Sequence, residues 1–365
     1  MALYWFLLLL PMLGAVLATG HTKSMHPQKM ITHTGNKTSP LAIGLFSCLL
    51  VLVVGFRHEV GGDWFNYFTP IMVAVDKTWV QATMSTDPAY GLLTWIAANI
   101  GGGVYFVNIV CALVFVAGLW VYAQHSPQPW LTMYVAVPYL VIVVAMGYTR
   151  QGVAIGLAMI GMVALDQGRI FKFTWWLLIA ALFHKSALIL LPLAVFSGRK
   201  KWQALLGVLL VSVLMYLVLL AEYVDQLIAG YIYEEYSSSG AGIRIAMNAL
   251  PATLFLMFRH RFGLTTRQKS FWTWMSLGAL AFIVLLALSP SSTAVDRVAL
   301  YWIPLQLFVW SRLPLALGHS PGTQRQWLAV VLAYGCLVQY VWLFYADNRY
   351  AWLPYQFYPW VWLWS

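Results

Sequence analysis

Runs of about twenty uninterrupted apolar residues recur along this chain, and they restrict its fold more than any motif does. A helix rises about 1.5 Å per residue, so such a run covers a hydrocarbon core about 30 Å thick. Hydrocarbon offers the backbone no hydrogen-bond partners, so only helices and closed barrels cross it. Barrel strands alternate apolar and polar residues; the runs here do not alternate, which selects helices. Composition agrees: of 365 residues, 61% are hydrophobic and 9% charged, with a mean hydropathy of +0.75. We therefore expect an all-α polytopic membrane protein, one integral membrane domain over residues 1–365 with about 11–12 transmembrane segments.

In chain order the first helix is expected over Leu3–Thr19. It ends like a signal peptide but has no basic residue before its apolar core, so it reads as a retained helix with its N-terminus outside. A polar stretch, His21–Pro40, precedes a helix over Leu41–Phe56. The charged and aromatic stretch RHEVGGDWFNY, Arg57–Tyr67, opens an outer loop region of about 57–102, holding amphipathic or half-inserted pieces. Spans follow over Val104–Tyr122, Leu131–Gly147 and Gln151–Leu165. Phe173–Phe183 and Ser186–Phe196 are each too short to cross alone and flank His184-Lys185. A helix over Ala204–Ala221 leads to a second outer loop of about 223–243, rich in tyrosine. Helices are then expected over Ile245–Phe258, Phe271–Leu288, Val298–Trp310 and Leu328–Tyr345, with an interfacial aromatic tail, Trp352–Trp364. Cys48, Cys111 and Cys336 lie inside apolar runs and read as small core residues.

Charge decides the orientation. With twelve segments and the His184 region counted as two, 14 of the 21 Lys and Arg residues fall on one side. They are Lys23, Lys29, Lys37, Arg169, Lys172, Arg199, Lys200, Lys201, Arg259, Arg261, Arg267, Lys269, Arg312 and Arg325; Asp166 is the only acid among them. Basic loops stay in the cytoplasm, so this side is the inner one. The chain's net charge of +10 is thus an insertion signal, and no nucleic-acid partner is needed to explain it. Counting His184 within one helix would turn the later basic loops outward, so two short helices are favoured, with His184 on the outer side.

The outer cations then stand out. Arg57, Arg150, Arg244 and Arg297 sit at the outer ends of separate helices, where a bundle can bring them together. Four planar guanidinium forks around an outward-facing polar cavity suit a diphosphate. The competing reading is local pairing: Arg57 with Glu59 or Asp63, Arg297 with Asp296, Arg349 with Asp347. Arg150 and Arg244 have no carboxylate within five positions, so local pairing explains them least. Asp63, Glu59, Asp296 and His184 are the acid–base candidates. Trp64 and Tyr67 offer a wall for sugar rings, with Glu59 and Gln151 as polar partners. No HExxH, CxxC or DxD pattern is present, and His21, His26 and His33 are too widely spaced for a metal site. No metal or cofactor is expected.

Three of these stretches, with a fourth more weakly, resemble one family. Gly61-Gly62-Asp63-Trp64 followed by Tyr67 resembles the G-x-D-Y-x-x-Y signature that follows an arginine in EpsG-type, Wzy-like polysaccharide polymerases. Trp64 stands where tyrosine is usual. YTRQGVAIG, Tyr148–Gly156, resembles that family's arginine-glutamine helix opening; LFHKSALILLP, Leu182–Pro192, resembles its Phe-His-x-Ser-Ala segment; and DRVALYWIP, Asp296–Pro304, resembles a later arginine-tyrosine helix.

The resemblance implies a multi-helix, GT-C-like bundle in the bacterial inner membrane. It implies a glycosyltransferase that polymerises undecaprenyl-diphosphate-linked oligosaccharide repeats on the periplasmic side. Its matched positions are Arg57, Asp63, Tyr67, Arg150, Gln151, His184 and Arg297. On this reading the arginines stabilise the leaving diphosphate, and Asp63 or His184 takes the acceptor's proton. The partners would be membrane lipids, the lipid-linked oligosaccharide, a flippase and a chain-length regulator. The alternatives are an O-antigen ligase or a polyprenyl-phosphate-dependent transferase within the same chemistry, a flippase of the same lipid, and a structural subunit.

Overall fold

A computed structural model of the chain describes residues 1–20, 40–197, 238 and 240–364. The expected helix Ala204–Ala221, almost all of the second outer loop with its tyrosines, the three N-terminal histidines, and Lys23, Lys29, Lys37, Arg199, Lys200 and Lys201 lie outside the described residues.

Helix α1 is Ala2–Gly20 and α2 is Pro40–Gly55. A two-residue strand β1, Arg57–His58, leads into three short helices, α3 (Phe68–Ala74), α4 (Trp79–Met84) and α5 (Pro88–Asn99). These three short helices occupy the stretch expected to be the first outer loop. Ile100, Gly101 and Gly102 separate them from α6, Gly103–Gln124. Next come α7 (Pro129–Ala136, continuing as π-helix over Val137–Ala145), α8 (Thr149–Asp166) and α9 (Ile170–Phe183). The chain breaks at His184 and restarts as a 3-10 turn, Lys185–Leu190, before α10, Leu193–Ser197. Beyond the gap run α11 (Ala241–Phe258), α12 (Thr266–Leu288), α13 (Ser292–Ala299), α14 (Ile303–Leu317) and α15 (Pro321–Tyr345). Strand β2, Gln356–Phe357, and α16, Tyr358–Trp364, close the chain.

Among the described residues, five helices are long and apolar enough to cross a membrane, and four shorter apolar ones accompany them. The chain is a multi-pass membrane protein of helices. Many large hydrophobic side chains are exposed, Leu17, Met72, Phe171 and Leu288 among them, as expected of surfaces that face lipid.

Helix α8 lies inside the bundle, as do α14 and the second half of α7. Nearly all of α8 is buried, and its small residues explain how neighbours come so close. A Cβ on Gly118 of α6 would stand 2.1 Å from the Gly156 carbonyl oxygen, and one on Gly156 would stand 2.7 Å from the Phe115 Cα. Such backbone contact is the usual device for packing helices where no hydrophobic effect drives them together. It fixes α8 at the centre of the bundle, with its first turn at the polar end.

The C-terminal segment departs from expectation. It was read as an interfacial belt, yet β2 pairs antiparallel with β1, matching Arg57 to Phe357 and His58 to Gln356. Trp352 is wholly buried and donates Nε1–H to the Ile142 carbonyl at 2.7 Å. Trp360, Trp362 and Leu363 remain exposed, and they keep the belt character.

Candidate active site

Four consecutive residues at the start of α8, Tyr148-Thr149-Arg150-Gln151, each grip a different part of the chain. Thr149 lies 2.7 Å from Arg57, accepting its Nη2–H, and its backbone N–H donates to the Tyr67 hydroxyl at 3.0 Å. Arg150 Nη1 reaches Asp87 Oδ2 at 3.1 Å and Thr86 Oγ1 at 3.2 Å. Gln151 Nε2 donates to the Arg297 carbonyl at 2.6 Å. The Tyr148 ring lies 3.8 Å beneath the Arg297 guanidinium. The first turn of a helix has free N–H groups and an exposed end, so it can hold many partners at once.

The four arginines therefore gather around this turn, but their donors are not equally committed. Arg57 is fully buried. Its Nε donates to Val60 O at 3.1 Å, Nη1 to Val54 O at 2.6 Å, and Nη2 to Asn108 Oδ1 at 3.0 Å as well as to Thr149. No room for a water-sized sphere remains around it. Neutral acceptors and the Trp64 ring, 5.7 Å away, satisfy a buried cation that has neither Glu59 nor Asp63 as partner. Arg244 is likewise occupied: Nε and Nη2 each bond Asp296 at 2.7 Å, and Ser238 bridges the pair. Asp296 thus holds Arg244 and not its sequence neighbour Arg297.

Arg150 and Arg297 differ from these two. The Arg150 side chain is 41% exposed and binds its carboxylate through one nitrogen. Arg297 is half-buried and held by a ring face instead of an acid. Among the described residues, both guanidinium groups keep hydrogen-bond donors for a ligand.

Asp87 is the residue that sequence reasoning passed over. Followed by Pro88 at the start of α5, it has the signature of a helix cap, but its side chain does not cap that helix. The carboxylate turns inward, 7% exposed, and meets Arg150, the Lys185 N–H at 3.3 Å and His184 Nδ1 at 3.5 Å. The last distance is long for a hydrogen bond; such contacts often tighten once substrate is bound. Burial pushes the Asp87 carboxyl up, but His184, Arg150 and the Lys185 N–H outweigh it and hold the group below its ordinary range. His184 takes extended backbone where α9 ends, which aims its ring at Asp87. Beside it, Ser186 Oγ donates to the Tyr301 hydroxyl at 3.1 Å.

Other expected site residues fall elsewhere. Trp64 is 1% exposed and Tyr67 is buried against Tyr90, so neither offers a face to a sugar; both are core. They were read as a wall because rings beside charges look the same in sequence whether they face inward or outward. Gln151 is buried and serves as a strut. Glu59 is exposed, in a left-handed backbone conformation with φ of 52°, and sits 3.9 Å from His58. Asp63 is half-buried and within electrostatic reach of Arg150 and Tyr148. Gly61 lets the chain approach itself. Its φ is 111°, and a Cβ there would stand 2.3 Å from the Met146 carbonyl oxygen. Among the described residues, no group of three or more His, Cys, Asp or Glu side chains could hold a metal.

A model of the EpsG family matches residues 41–357, from α2 to the end of β2. This chain belongs to the EpsG family. That family comprises polysaccharide polymerases, so the chain is a membrane enzyme of polysaccharide synthesis with glycosyltransferase-type activity. The match takes in the start of α8, Asp87, His184 and β2, so strand and site both belong to the matched region. No curated protein matches the chain, and no solved structure does.

Proposed function

We propose that this EpsG-family protein transfers a growing saccharide from undecaprenyl diphosphate to a hydroxyl of the next lipid-linked repeat, on the periplasmic side of the bacterial inner membrane. The observation carrying this reading is the Asp87 carboxylate joined to both Arg150 and His184, with Arg297 over Tyr148 at the start of the same helix. The acceptor oxygen attacks the anomeric carbon and the bond to the diphosphate oxygen breaks. The hydroxyl proton passes to His184, and undecaprenyl diphosphate leaves.

Each residue has a part in that step. Asp87 faces the Nδ1 edge of His184, which leaves Nε2 at the other edge to take the proton. A carboxylate behind an imidazole fixes its tautomer and stabilises the imidazolium that forms. Arg150 and Arg297 meet the charge that develops on the diphosphate. Arg57 and Arg244 hold the frame. His184 is preferred to Asp63 as base because a carboxylate already orients it. The outer position and a GT-C-like bundle remain part of this proposal, supported by the charge distribution along the chain.

The test is a deletion strain complemented with variants, its surface polysaccharide and lipid-linked sugars resolved on gels. Arg150→Ala and Arg297→Ala are each expected to lower polymerisation by about 10²–10³, with single repeats retained and membrane levels normal. His184→Ala is expected to remove the ladder. Loss of all lipid-attached sugar in the deletion strain would indicate a flippase, and full-length polymer left on undecaprenyl would indicate a ligase; either sinks the proposal.

A further inference from the structure

At the far end of α11 from Arg244 lies a second polar feature. About fifteen residues of helix, roughly 22 Å, separate Arg244 from Arg259. There the turn joining α11 to α12 opens a surface cleft of about 500 Å³, within the size range of small-molecule sites. Arg259 and Lys269 bring positive charge to its lining, His260 an imidazole, and Thr266, Ser270 and Thr273 hydroxyls. No acid lines it among the described residues, and none occurs in the sequence between Phe255 and Trp274. No ion pair involves Arg259 or Lys269 among the described residues. Thr273 Oγ1 is buried there without a hydrogen-bond partner.

The rest of the lining is apolar. Leu256, Met257 and Trp274 complete it, with Met257 62% and Trp274 41% exposed. Both flanking helices are long and apolar enough to cross the membrane, so the cleft sits at the boundary between hydrocarbon and water. Cations and hydroxyls above an apolar wall match an anionic head above an acyl chain. Basic pockets between membrane helices bind phosphate head groups in this way.

We infer that the cleft between α11 and α12 binds a phosphate-bearing anion, with Arg259 and Lys269 as its charged ligands. Nothing in this inference depends on the reaction proposed above, since it uses neither Asp87 nor α8.

Native mass spectrometry of the full chain, released from detergent with defined lipids, tests it. Phosphatidylglycerol is expected to be retained at least ten-fold more than phosphatidylcholine, and Arg259→Gln with Lys269→Gln to abolish that preference. The charge-keeping pair Arg259→Lys with Lys269→Arg retains it, as does Lys172→Gln with Arg325→Gln, which removes equal charge elsewhere. Millimolar inorganic pyrophosphate identifies the source. If it displaces the lipid, the site serves a soluble phosphate compound; if it does not, the site serves a lipid head group. Equal retention of the two lipids together with no pyrophosphate adduct, or an unchanged preference in the Arg259→Gln, Lys269→Gln protein, overturns the inference.

Discussion

At the scale of single residues, the site divides arginines that build from arginines that act. Arg57 is surrounded by backbone and amide oxygens that would lose their partner with it, so Arg57→Met leaves several acceptors buried and unpaired. Each buried acceptor left without its donor costs about 1–3 kcal/mol. We expect a lower melting midpoint and lower membrane yield; a fully folded but inactive Arg57→Met protein would contradict the structural role. Arg150→Ala should do the reverse, losing activity before stability. Asp87 supplies a pH signature. Its carboxyl titrates below the ordinary carboxylate range in the folded protein. Its stabilisation is therefore complete above the unfolded value, about 4, and is lost as pH falls through the lower folded value. Denaturation midpoints measured from pH 7 down to pH 3 should fall more steeply for the native protein than for Asp87→Asn.

Elements pose a different question, which is what keeps these side chains in register. The first turn of α8 is positioned from its far side by backbone contact with α6 and from above by the β1–β2 pair. Trp352 is the plug between them: it hydrogen-bonds Ile142 of α7, sits against Gly147, and lies over Gly62. Replacing such a buried ring with alanine costs about 3–5 kcal/mol through lost contacts and a residual cavity. Trp352→Ala is expected to lower the melting midpoint and to weaken polymerisation, although Trp352 touches none of the proposed reacting groups. Gly61→Ala is expected to do the same on a smaller side-chain change, because it combines an unfavourable φ with a clash on Met146. If either variant kept native stability, the strand pair would not be the element that positions α8.

The whole molecule is a set of crossings with two polar ends. One end holds Asp87, Arg150, His184 and Arg297; the other holds the basic turn from Arg259 to Lys269. The positive-inside bias assigns the second to the cytoplasm. In a background without native cysteines, Lys77→Cys should react with a membrane-impermeant thiol reagent from the periplasm, and Arg259→Cys only after the membrane is opened. Labelling of both from one side would overturn this topology.

Much of the fold was legible in the chain because the physics behind it is local. Apolar run length located the long helices, although α15 starts seven residues before the expected Leu328 and the expected Val298–Trp310 is split between α13 and α14, and the polar His184-Lys185 step marked where a helix breaks. The family motifs named Arg150, His184 and Arg297 for the same reason, since each motif is contiguous. Pairing across the bundle is not local, and there the chain gave no guide. Arg150 and Arg244, without nearby acids in sequence, both hold carboxylates, 63 and 52 residues away. Asp87 carries no signal in the sequence that marks it as a site residue, while Trp64 reads as a sugar platform and the aromatic tail as a membrane belt. Whether a ring or a carboxylate points inward depends on what the rest of the chain brings to it. The sequence by itself determined a membrane-embedded helical enzyme with its charges sorted by side. Tertiary structure alone decided which of those charges are bound within the protein and which have donors left for a substrate.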